Sequence, residues 1–139
     1  MSEAPSARAP VTPALTGGFF VLASVITLAA GASLLAPGRG LDWMWAAKPA
    51  GHAQLLAMEP WAGLGFLGFS AVAGATSAGC FQRRRWAWRL AIAVFLVNGL
   101  SDAARIPFGA VGEGVLGVVA TSLIVWGLTR PRVRALFSL

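Results

Sequence analysis

Between Ala14 and Leu35 the chain runs for 22 residues without a charged side chain, bracketed by Pro13 and Pro37. A helix that crosses the hydrocarbon core of a bilayer needs roughly 20 apolar residues. Runs of similar length recur at about 61–81, 86–106 and 110–128. None of them alternates polar and apolar residues, as a membrane barrel strand would. Backbone N–H and C=O groups in lipid must be satisfied within their own segment, so runs of this kind are helical. The expected fold is all-α: an integral membrane four-helix bundle, with a short interfacial helix between spans one and two.

Charged residues make up 12% of the 139 positions, about half the share of a soluble domain. The length leaves no room for a second soluble domain beside four spans. The net charge is +6, but the arginines flank the apolar runs and do not cover a soluble face. The charge therefore reads as membrane topology, and nucleic acid is not an expected partner. Cys80 is the single cysteine and His52 the single histidine. Together they build no zinc site without several carboxylates, and one cysteine makes no intrachain disulfide. No metal and no cofactor is expected. Nucleophile elbows, HExxH, phosphate loops and dinucleotide turns are missing from the sequence.

Residues 1–13 hold three prolines and small polar residues and read as a disordered tail. The first apolar run is longer than the 7–15 residues of a secretory signal core, so it reads as a retained span. Residues 36–60 form the longest connection. Leu41, Met44, Trp45 and Lys48 have helical spacing, and Trp43 and Trp45 favour the headgroup level. These features predict a surface helix that stops near Pro49. Pro60 is then the first-turn proline of span two or a kink within a longer helix. Span two carries Ala71, Ala75 and Gly79 four apart, a row of small residues that serves close helix packing or a dimer face. Residues 82–85 are a tight basic turn, and Pro107-Phe108-Gly109 ends span three. Residues 129–139 form a basic tail that suits the surface of an anionic leaflet.

Four spans place the N-terminus, the 82–85 turn and the C-terminus on one side. That side holds eight basic residues (Arg8, Arg83, Arg84, Arg85, Arg89, Arg130, Arg132 and Arg134) against three on the other. Positive residues stay cytoplasmic, so both termini are expected inside, in a bacterial inner membrane. The use of arginine with one lysine points to a GC-rich bacterial genome. The layout is similar to that of many small four-helix bacterial inner-membrane proteins. That resemblance rests on topology and carries over no catalytic residue.

Costly polar residues gather at the far end of span three. Asn98, Asp102 and Arg105 stand at i, i+4 and i+7 and share one helical face. Asp102 and Arg105 are spaced to pair along the helix. Ionisable groups within spans face a bundle interior or a wet cavity. Asp102 lies 16 residues beyond Trp86, about 24 Å along the axis and near the outer interface. Glu59, Glu113 and His52 belong to the same end by depth. A pocket of these six residues would bind a lipophilic small molecule. Asp102 or Glu113 would be its acid/base, and Asn98, Arg105, Glu59 and His52 would bind and orient. The structural alternative assigns Glu59 and Glu113 to helix N-termini, Asp102 with Arg105 to an ion pair, and Asn98 to an interhelical hydrogen bond. Three roles follow: an accessory or structural subunit, as a homo-oligomer or within a larger membrane complex; an isomerase-like ligand site; and a carrier acting as an oligomer. The sequence favours them in that order.

Overall fold

A computed structural model describes residues 11–58, 60–109 and 111–137. The regular structure among them is helical. It comprises α1 (Val11–Leu35), a 3-10 turn (Asp42–Trp45), α2 (Pro49–Leu56), α3 (Trp61–Phe81), α4 (Arg85–Arg105), a second 3-10 turn (Ile106–Phe108), α5 (Val111–Thr129) and α6 (Pro131–Arg134). Helices α1, α3, α4 and α5 are long and apolar enough to cross a membrane. The all-α class with four span-length helices is the fold expected from the sequence. The expected disordered tail lies outside the described residues as far as residue 10. Helix α1 begins at Val11 and takes Pro13 into its first turn, where the missing N–H costs no helical bond.

The chain divides into two compact units. The first, Gly18–Ser77, pairs α1 with α3. Ser24 and Ser70 bond reciprocally, each Oγ donating to the other residue's carbonyl at 2.9 Å. Seven residues along α1 and seven back along α3, Gly31 and Gly63 meet. A Cβ on Gly31 would stand 3.0 Å from the Gly63 carbonyl oxygen. The opposed order of these contacts makes the pair antiparallel. Lipid gives no hydrophobic drive for helices to associate, so small residues that bring backbones together do that work.

The connection within this unit differs from the sequence reading. The Asp42–Trp45 segment is a single 3-10 turn, and Pro49 opens α2 as its first residue. Proline suits that position because the N–H it lacks would be unpaired anyway. Pro60 lies outside α3, and its carbonyl accepts the bond from Leu64 N–H at 3.1 Å. It therefore starts a helix and does not kink one.

The second unit runs Ala78–Leu139 and takes in α1 as far as Gly17. Helix α3 enters α4 through a Schellman motif. Arg84 N–H reaches Gly79 O at 2.9 Å and Arg83 N–H reaches Cys80 O at 3.0 Å. Arg83 takes the left-handed position, φ +54°, which glycine usually fills. The C-terminal tail folds back: Phe137, 2% exposed, packs with Cys80 and Ala87, flanked by Trp88, Val133 and Leu136. Trp88 donates its Nε1 hydrogen to Leu128 O at 2.9 Å, tying α4 to the end of α5.

Two outcomes follow from this turn and tail. Arg83→Gly removes a left-handed Cβ and raises stability by about 1 kcal/mol in reversible unfolding from mixed micelles. Phe137→Ala opens the cluster, and labelling of Cys80 by N-ethylmaleimide accelerates by about tenfold or more, the effect of losing about 1.4 kcal/mol of local packing.

Candidate functional site

Helices α4 and α5 form an antiparallel hairpin whose seam is cut by small residues. Gly99 faces Thr121, Gly117 faces the Asp102 carboxylate, and Gly114 faces Ile106 and the Asp102 carbonyl. A Cβ on Gly117 would overlap the Asp102 side chain, so that glycine is the notch in which the carboxylate lies. Ala87, Ala91, Phe95 and Gly99 are the buried row of α4. Asp102 lies three residues beyond this row and points at α5 because the row does.

The hairpin closes through Ile106–Phe108 and Gly109, whose φ of +94° requires the freedom of glycine. Arg105 ends α4, and Glu113 sits in the first turn of α5. Each charge opposes the partial charge of its own helix end. Arg105 Nη2 and Glu113 Oε2 approach to 3.7 Å across the turn, with side chains 57% and 64% exposed. At that exposure an ion pair contributes no more than about 1 kcal/mol. Asp102 and Arg105, spaced to pair along one helix, do not pair. Arg105 turns to the next helix, and the Asp102 carboxylate makes no hydrogen bond or ion pair with a described residue.

Asn98 lies on an exposed part of α4 and makes no hydrogen bond to another described residue. The interhelical bond read for it from sequence is therefore not made within the hairpin. His52 belongs to the other unit. Its ring stacks on Trp45 with centroids 5.0 Å apart and planes 2° from parallel. Trp45 in turn donates to Ser33 Oγ at 2.8 Å and meets Phe66 edge-on. His52 Nε2 is buried without a hydrogen-bond partner. Glu59 lies outside the described residues. Of the six residues singled out in the sequence, the hairpin thus brings together Asp102, Arg105 and Glu113.

The opposite end of the hairpin holds a feature that the sequence reading missed. Arg85, Trp88 and Arg89 of α4, Thr129, and Pro131, Arg134, Ala135 and Phe137 of the tail line an open cavity of about 410 Å³. Arg85 and Arg89 stand one turn apart on one face of α4. The guanidinium of Arg134 lies 5.7 Å from the centre of the Trp88 ring. The signal in the sequence was that i, i+4 arginine pair. What it lacked was the return of the tail, which depends on Phe137 reaching Cys80.

The two glycines near the start of α5 separate packing from helix propensity. Gly114→Ala drives a methyl against the Asp102 carbonyl and Ile106, and it destabilises by about 1–3 kcal/mol. Gly112 has nothing near its Cβ position, so Gly112→Ala stabilises by up to about 1 kcal/mol. Unfolding of the two variants in one detergent mixture checks the contrast. No family model matches this chain, and no curated protein or solved structure matches it closely enough to count as a relative.

Proposed function

We propose that this chain is an accessory membrane protein, a non-catalytic helical subunit that assembles with a second copy or with a larger membrane complex. Its setting is the inner membrane of a bacterium, with both termini and the arginine-rich side in the cytoplasm. The observation that carries this reading is the use of the polar residues at the α4–α5 turn. Arg105 and Glu113 close the hairpin across it, and Asp102 lies against its Gly117 notch. Charges spent on a turn are not arranged around a substrate. The orientation is supported by eight basic residues against three and the cytoplasmic preference of positive charge. A surface for assembly is supported by α3, where Gly65, Gly68, Ala71, Ala75 and Ala78 are all exposed.

A second reading keeps a lipophilic ligand at the same end, with Asp102 as acid/base and Asn98 and Arg105 orienting it. It is favoured by the Asp102 carboxylate, which no described residue engages, and by the exposed Asn98 about one turn before it. A carrier acting as an oligomer ranks third. Its coupling acid would be Asp102, three residues from the end of α4, where a deeper position would suit transport better.

Native mass spectrometry of protein released from its own membranes in mild detergent separates these readings. The accessory role predicts a stoichiometric protein partner or a defined homo-oligomer, unchanged in Asp102→Asn. A bare monomer counts against it. A bound small molecule that is lost in Asp102→Asn replaces it with the ligand reading.

A further inference from the structure

We infer that the arginine-lined cavity at the α4–α5 ends binds the phosphate group of an anionic phospholipid. Arg85, Arg89 and Arg134 all line one open space, and no described carboxylate pairs with any of them. Like charges one helical turn apart repel, and an anion between them relieves that repulsion. The other donors at its wall are already engaged. Trp88 Nε1 donates to Leu128 O, and Thr129 Oγ1 donates to Trp126 O at 3.0 Å. What remains to offer is charged N–H groups in planar forks, which match the oxygens of a phosphate two at a time. The first turn of α4 adds to the positive field, because it has no side-chain cap and a helix N-terminus carries partial positive charge.

The position of the cavity selects a lipid as the source of that phosphate. It opens where two span-length apolar helices end. Exposed Trp86 and Trp126 stand on those same turns, and such tryptophans mark the headgroup level. Arg130 lies over Trp126 at 3.9 Å, a further cation at that depth. Basic pockets at the cytoplasmic ends of membrane helices hold lipid headgroups through these same forces. A zwitterionic headgroup would bring its own cation against three arginines, so the ligand is an anionic lipid. The inference does not depend on the accessory role. It needs only the hairpin and its apolar length.

The test uses the full chain in detergent, titrated with phosphatidylglycerol, phosphatidylcholine or inorganic phosphate and read by native mass spectrometry. Two triple variants remove equal charge: Arg85→Gln/Arg89→Gln/Arg134→Gln inside the cavity, and Arg83→Gln/Arg84→Gln/Arg132→Gln outside it. The cavity variant is expected to lose phosphatidylglycerol affinity by about a hundredfold, at about fivefold for each arginine near a headgroup, while the outer variant keeps wild-type binding to within a few-fold. Equal losses in both variants would mean diffuse attraction and overturn the inference. Phosphatidylcholine binding as tightly as phosphatidylglycerol would overturn it too. If inorganic phosphate binds as tightly as the lipid, the cavity belongs to a soluble anion. Should circular dichroism show the cavity variant unfolded, Arg134→Gln alone is read. It changes only the tail and is expected to lose about fivefold; unchanged binding would overturn the inference.

Discussion

The span-length helices of this protein pair where their backbones come close and water gives no help. Apolar side chains gain nothing by leaving lipid for one another, so span-length helices are held by short contacts and polar bonds between them. The seams show this directly. Gly31 meets Gly63 in one unit, and Gly99, Gly114 and Gly117 cut the α4 and α5 surfaces in the other. The reciprocal Ser24 and Ser70 bonds, each from hydroxyl to backbone carbonyl, form because the α1 and α3 backbones are that near.

The same constraint governs the remaining polar groups. Thr16, Thr27, Ser33, Thr76 and Ser122 each bond a carbonyl three or four residues back on their own helix. A hydroxyl satisfied in this way adds little cost to a lipid-embedded helix. Two tryptophans, Trp45 and Trp88, turn their indoles inward to make hydrogen bonds. Trp43, Trp61, Trp86 and Trp126 stay exposed, as interfacial anchors would. Inward and exposed indoles are thus two uses of one residue type.

The four long helices were legible in the sequence because uncharged runs of about 20 residues have few other solutions. The tight turn after α3 was legible as well, although Arg85 already opens α4. Which face of each helix meets a neighbour was not. Ala71, Ala75 and Gly79 form a regular row, yet Ala71 and Ala75 are exposed and only Gly79 is buried, under Trp86 and Ala87. Periodicity defines a face but not the direction in which it points. Helical spacing likewise offered Asp102 and Arg105 to each other. It is blind to a competing partner across a turn, and Glu113 became that partner for Arg105. Pro49 stands where spacing predicts a stop, yet it opens α2, because proline both ends and begins helices and only the chain path decides between them. The arginine cavity needed the tail to fold back, which Phe137 anchors with Val133 and Leu136 beside it.

The polar end of the hairpin holds a carboxylate in a glycine notch beside an ion pair across a turn. The most direct test is a double-mutant cycle between Asp102 and Gly117, measured by reversible unfolding. If the carboxylate fills the notch, Gly117→Ala is costly in the wild type and less so when Asp102→Ala has removed the carboxylate and left only the Cβ of residue 102 at 2.9 Å, a coupling of about 1–3 kcal/mol. Additive effects would mean that Asp102 does not lie against Gly117 and that its carboxylate is held for another purpose.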